Sequence, residues 1–158
     1  MTETPQASRA LGDMGISHAV FRHAHVPQTL EQAARERGQR PQQVVRSLVF
    51  RLHARQFIMV LVAGARQVSW KRLRERVGQR RLSLATSDEV LTVSGYSIGA
   101  VSPFGLPQPV RVLVDRSVLL EAQISIGSGD PEAGILMSSQ DLLRAVPGAE
   151  LVDLATPA

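Results

Sequence analysis

The residues of this chain that most invite a chemical reading lie at positions 95–107. There Gly95-Tyr96-Ser97-Ile98-Gly99 matches the G-x-S-x-G pattern of serine hydrolases, and Pro103 and Pro107 follow. A nucleophile elbow needs a strand before its serine, a helix behind it, and then the acid and the histidine later in the chain. Residues just before Ser97 pattern as a helix instead. The two prolines bar a helix after it, and His18, His23, His25 and His53 all precede it. The hydrolase-triad reading therefore fails. What the glycines and prolines do predict is a stiff, irregular loop able to present backbone N–H and C=O groups to a ligand.

Three other groupings could carry chemistry. His23-Ala24-His25 would place two imidazoles on one face of a strand, with His18 nearby. No acidic or cysteine partner has metal-ligand spacing, so no metal is expected. His25 has two readings, a polar group entering a pocket or a partly exposed structural histidine. Gly127-Ser128-Gly129-Asp130 looks like a phosphate loop, but Glu132 occupies the third glycine position of the dinucleotide pattern and no P-loop lysine follows. A strand-end turn, favoured by Pro131, is the alternative. Arg66, Lys71, Arg72, Arg74, Arg76, Arg80 and Arg81 fall close together, opposed only by Glu75. That density reads either as a nucleic-acid footprint, with Arg72, Arg74 and Arg76 on one helix, or as a solvated helix face. Trp70, the sole tryptophan, reads as core packing.

Composition bounds these readings. The 158 residues suit one domain, 1–158, with a real hydrophobic core. There is no cysteine, which excludes disulfides, thiolate catalysis and thiolate-bound zinc. No window reaches the ~18 uncharged apolar residues of a membrane span. Residues 1–9 are polar and lack the apolar segment of a signal peptide, so a cytoplasmic protein is expected. The net charge of +4 comes from arginine, with Lys71 the one lysine. Arginine binds phosphates bidentately and stacks on bases.

The elements that must hold these groups follow from caps and alternation. Thr4-Pro5 opens a helix toward Leu11. Residues 17–21 alternate as a strand. Thr29-Leu30-Glu31-Gln32 is a capping box whose helix stops at Gly38, and Pro41 starts a short turn. Strands are expected at 47–52, 57–62 and 81–85, with a basic helix between the last two, capped by Ser69 and ended by Gly78. Ser87 caps the next helix. Beyond the loop come strands near 110–114, 122–126 and 135–137, a helix over 139–145 and a strand at 151–154. The pattern predicts an α+β fold, a single domain with a mixed, mainly antiparallel sheet and several packed helices.

Taken in order, Gln43-Val44-Val45-Arg46-Ser47-Leu48-Val49-Phe50, the 95–107 loop, Val112-Leu113-Val114-Asp115, Gly127-Ser128-Gly129 and Asp141-Leu142-Leu143 resemble the YbaK/EbsC family, free-standing relatives of the editing domain inserted in bacterial prolyl-tRNA synthetase. The resemblance covers about residues 17–154. It implies a cytoplasmic deacylase that cleaves the ester of a mischarged aminoacyl-tRNA carrying a small amino acid such as Ala, Cys, Ser or Thr. The implied partners are the 3′ end of that tRNA and an aminoacyl-tRNA synthetase, with no membrane and no DNA. It also implies no cofactor, no metal and no protein nucleophile.

By the same resemblance, the G-x-x-x-P loop (Gly99, Ala100, Val101, Ser102, Pro103, Phe104) lies against the aminoacyl end. The glycine turn (Gly127, Ser128, Gly129) lines the pocket, and His25 enters it. Thr29 is a helix cap that is also compatible with a substrate contact. The family carries a lysine in a K-[ST]-L motif at the position of Arg46, which makes Arg46 the catalytic candidate. Arginine keeps the charge but stays protonated. If the position acts by charge and hydrogen bonding, turnover is expected. If it must move a proton, the chain is a non-catalytic RNA- or synthetase-binding module on the same fold.

Overall fold

The computed structural model describes residues 3–156. Met1, Thr2, Pro157 and Ala158, which belong to the expected 1–158 domain, lie outside the described residues. The chain folds as α1 (Gln6–Asp13), β1 (Ala19–Arg22), α2 (Leu30–Glu36), β2 (Val45–Arg51), β3 (Phe57–Ala63), α3 (Trp70–Val77), β4 (Ser83–Leu84), α4 (Ser87–Ser94), β5 (Arg111–Asp115), β6 (Gln123–Gly127), β7 (Ala133–Ser138), α5 (Ser139–Ala145) and β8 (Glu150–Val152).

The α+β class is as expected, but the strands form two sheets rather than one. β1, β7 and β6 make an antiparallel three-stranded sheet, and the other sheet runs β4-β2-β3-β5-β8. In the larger sheet β2 pairs antiparallel with β3 and β4, while β3–β5 and β5–β8 are parallel. The sheets join where Val44 bridges Ser125. Between them lies the main core, from Val45 and Val49 of β2, Met59 and Leu61 of β3, Ile124 and Ile126 of β6, and Ile135 and Met137 of β7. Alternation along β2 and β3 sends Phe50, Ile58 and Val60 to the opposite face, where Leu73 of α3 closes a second core. Each fully buried aliphatic side chain contributes about 1.5–3 kcal/mol.

Local signals account for most boundaries. Thr29 and Ser69 cap α2 and α3 through their hydroxyls. Gly78 and Gly95 end α3 and α4 in the left-handed conformation. The reciprocal half of the expected capping box at Thr29 goes to the Gln28 N–H instead, which the Gln32 side chain accepts at 3.0 Å. The cap of α4 is Thr86, not Ser87, because Glu89 reaches back to the Thr86 N–H at 2.9 Å. The strand expected at 81–85 shrinks to two residues, Ser83 and Leu84, paired with Arg51 and Phe50. That shortening leaves the front half of β2 without a strand neighbour on its outer side.

Candidate functional site

A cleft of about 590 Å³ opens along that uncovered edge. Its walls come from the segment before α2 and its buried face (Pro27, Thr29, Ala33), from residues 44–49, and from Leu84 and Ala85. Ile98, Gly99 and Val101 of the glycine loop, and Gly127 of β6, complete it. Among the described residues no carboxylate lines it, and its only charged lining groups are Arg37 and Arg46.

The edge itself supplies backbone groups. The Val49 carbonyl points away from β3 and accepts from the Ala85 N–H at 3.0 Å. Backbone direction alternates along an antiparallel strand, so Ser47, two residues earlier, also turns its N–H and C=O toward the uncovered side. The Ser47 hydroxyl is buried and has no hydrogen-bond partner among the described residues.

The loop is locked from behind. The Tyr96 hydroxyl donates to the Phe104 carbonyl, and burial pushes its pKa up to about 12. A Cβ on Gly129 would sit 2.9 Å from the Tyr96 ring, and one on Gly127 would lie 2.3 Å from the Val101 carbonyl oxygen. Those two glycines are required by close approach. Gly99 instead has φ +93° and open space around it, so torsion selects glycine there. Within the loop the Ala100 N–H donates to the Ser97 carbonyl, and the Ala100 carbonyl accepts from the Gly129 N–H. The Gly99 and Val101 N–H groups have no backbone partner among the described residues, and both residues line the cleft.

The sequence-derived candidates divide accordingly. Arg46, Thr29, Gly99, Val101 and Gly127 share the cleft. Ala100, Ser102, Pro103 and Phe104 are buried behind the wall, and Phe104 belongs to the main core. Ser128 is also buried. Its hydroxyl donates to the Ala133 carbonyl at 2.7 Å and accepts from the Asp130 N–H at 3.1 Å, so it builds the turn. Gly129 packs on Tyr96.

His25 is exposed and off the cleft wall. β1 ends at Arg22, so His23 and His25 do not share a strand face. Among the described residues no three His, Asp or Glu side chains group so as to hold a metal ion.

Arg46 is half-buried, and its position is specific. Its Nε donates to the Gly64 carbonyl at 2.8 Å and its Nη2 to the Arg66 carbonyl. Burial pulls its pKa below the ordinary arginine value. Two of its nitrogens are thus committed to the β3–α3 connection, and only Nη1 has no partner among the described residues. The geometry makes Arg46 a fixed positive charge at the cleft rim.

Arg72, Arg74 and Arg76 stand elsewhere, on α3, across the larger sheet. Arg72 approaches Asp153 at 3.6 Å and Arg76 pairs with Glu150 at 3.2 Å. Trp70 stacks edge-on against Phe50, ring centroids 5.3 Å apart, and is half-exposed.

A family model for the aminoacyl-tRNA editing domain matches residues 23–145. The chain belongs to that family. The prolyl-tRNA editing protein ProX of Acetoanaerobium sticklandii is 25% identical over 141 residues, covering 86% of this chain and 85% of that protein. YwhH, an uncharacterized protein of Bacillus subtilis, is 31% identical over 114 residues, 72% of either chain. The proline–tRNA ligase of Trichlorobacter lovleyi is 28% identical over 120 residues, 75% of this chain, and the match spans only 21% of the ligase. A solved structure proposed to be a trans-editing enzyme for prolyl tRNA synthetase superposes with a TM-score of 0.88 at 29% identity, covering 99% of this chain and all of that one. These likenesses place the α+β fold with the trans-editing structures. No helix among the described residues is long and apolar enough to cross a membrane.

Proposed function

We propose that the whole chain, 1–158, is a trans-editing hydrolase that cleaves the ester between a small amino acid (Ala, Cys, Ser or Thr) and the 3′ end of transfer RNA. The observation that carries this reading is the cleft at the uncovered β2 edge. It brings the Arg46 motif, the glycine loop and Gly127 to one cavity with unpaired backbone donors. Hydrolysis of an ester builds negative charge on the carbonyl oxygen, and fixed N–H donors stabilise that charge without a special side chain. Gly99 and Val101 offer such donors. Arg46 adds a positive charge through Nη1 and moves no proton. The attacking group is a water or a hydroxyl of the substrate, oriented by the bound 3′ end.

The test is a deacylation assay of the purified protein against a panel of aminoacyl-tRNAs. Hydrolysis of one or more small aminoacyl esters is expected, and hydrolysis of none overturns the enzymatic reading. One observation favours a second reading, a non-catalytic RNA- or synthetase-binding module: two of the three Arg46 nitrogens are already engaged by carbonyls. That module would bind transfer RNA or a synthetase while leaving every ester intact.

A further inference from the structure

Arg37 follows α2 and would pass in the sequence for an ordinary arginine at a helix end. In the structure its guanidinium lies flat over Gly134 of β7, where a Cβ would approach Cζ to 2.5 Å. Nε donates to His23 Nε2 at 3.1 Å and Nη1 to the Ser125 hydroxyl at 2.9 Å. Arginine has no acceptor, so His23 Nε2 must accept, and the ring is a neutral imidazole with its proton on Nδ1. That proton is donated to Glu36 Oε1 at 2.6 Å, and Glu36 also accepts from the Gln32 side chain at 2.8 Å. A chain of four side chains thus fixes one guanidinium.

Nothing in that chain neutralises the guanidinium by contact. No carboxylate forms an ion pair with Arg37 among the described residues. Nη2 has no hydrogen-bond partner there. The residue lines the cleft, and burial lowers its pKa, with Glu36 pulling the other way. A half-buried, oriented cation without an ion-pair partner carries part of the cost of a buried charge, which an anionic ligand would offset.

Resting on the editing reading, we infer that Arg37 binds a phosphodiester oxygen of the RNA 3′ end and so holds the terminal nucleotide while its ester lies under the glycine loop. The chemistry of the substrate narrows the choice. The amino acid's carboxyl is esterified and its ammonium is positive, which leaves the phosphates as the anions beside the ester of a small neutral amino acid. Guanidinium geometry suits phosphate, and charge-assisted hydrogen bonds to it are strong.

The experiment compares wild type with Arg37→Gln on two esters of the amino acid selected by the panel, the aminoacyl-tRNA and the aminoacyl-adenosine, which has no phosphate. A KM raised about tenfold on the tRNA ester, with kcat and the adenosine ester changed less than twofold, is expected. Equal loss on both esters, or no loss on either, overturns the inference. If Arg37→Gln does not fold, Arg37→Lys is read the same way, with a rise of about threefold expected. If wild type hydrolyses nothing, the editing reading fails by itself, and binding of the trinucleotide CCA measured by NMR titration decides. A tenfold weaker Kd in Arg37→Gln supports a phosphate contact, and an unchanged Kd removes it.

Discussion

The arginines of this chain are arranged differently on the two sides of the larger sheet. On the α3 side they are dense, and a minority of them pair. Glu150 takes both Arg76 and Arg111, the latter at 2.6 and 3.0 Å, and Asp153 faces Arg72. Among the described residues only two, Arg37 and Arg46, line the cleft, and no carboxylate lines it with them. Density along the sequence therefore points to an exposed face where Glu150 and Asp153 offset part of the charge. In the cleft a sparse pair, from the end of α2 and from β2, lies against a wall with no carboxylate among the described residues.

The first way to break this contrast is at the cleft rim. Arg46→Ala is expected to slow deacylation about 100-fold, the size of losing one preorganised charge donor, with Arg46→Lys retaining most of the rate. Single-turnover hydrolysis of an aminoacyl-tRNA measures it, and an Ala variant at the wild-type rate would remove Arg46 from the mechanism. Gly127→Ala comes next. Its Cβ would meet the Val101 oxygen at 2.3 Å, so overpacking should cost about 1–3 kcal/mol and displace the Gly99–Val101 donors. Urea unfolding and deacylation should fall together.

On the α3 side the largest effect should be on stability alone. Asp115 is buried and holds the C-terminal segment that meets α3. It accepts from the N–H groups of Ser117, Leu154 and Ala155 at 2.8–2.9 Å. Burial pushes its carboxyl up, but those hydrogen bonds outweigh it and hold the pKa below 3.8. A group with a depressed folded-state pKa stabilises fully above its unfolded value and loses that contribution as pH falls through the folded one. Asp115→Asn should therefore cost about 2 kcal/mol at neutral pH, with the gap to wild type closing as pH drops below 3.8, and leave deacylation unchanged. Urea titrations across pH check both halves.

Much of the frame was legible because it is local. The caps at Thr29 and Ser69, the glycine stops at Gly78 and Gly95 and the alternation of β2 and β3 are written within a few residues of each other. The candidate cleft was legible where a motif carried it, at Arg46, Gly99, Val101 and Gly127, and at the Thr29 cap. Arg37 was not, because its partners His23, Ser125 and Gly134 come from just past β1, from β6 and from β7, spread over the chain. The stiffness of the 95–107 loop was expected from its prolines. Much of it comes from Tyr96, whose hydrogen bond to Phe104 no spacing rule announces. Ser102, Pro103, Phe104 and Ser128 carry the right residue types, but packing turns them inward.

Two smaller effects sharpen the same contrast. Arg76→Glu should cost well under 1 kcal/mol, since exposed pairs are worth little. It should weaken transfer RNA binding less than Arg74→Glu, because Arg76 is already paired with Glu150 and Arg74 has no ion-pair partner among the described residues. Filter binding at several salt concentrations reads this, and an α3 that contacts RNA should show a shallower salt slope after reversal. Ser97→Ala should be nearly silent, since Ser97 is exposed and no histidine follows it.

The most direct test of the central claim, that the cleft and not the basic helix performs the chemistry, is the initial hydrolysis rate of an aminoacyl-adenosine that is too short to span both sides. The account predicts that Arg46→Ala loses about two orders of magnitude while a triple reversal of Arg72, Arg74 and Arg76 stays within twofold of wild type. A rate that collapses in the triple variant and survives in Arg46→Ala would contradict it.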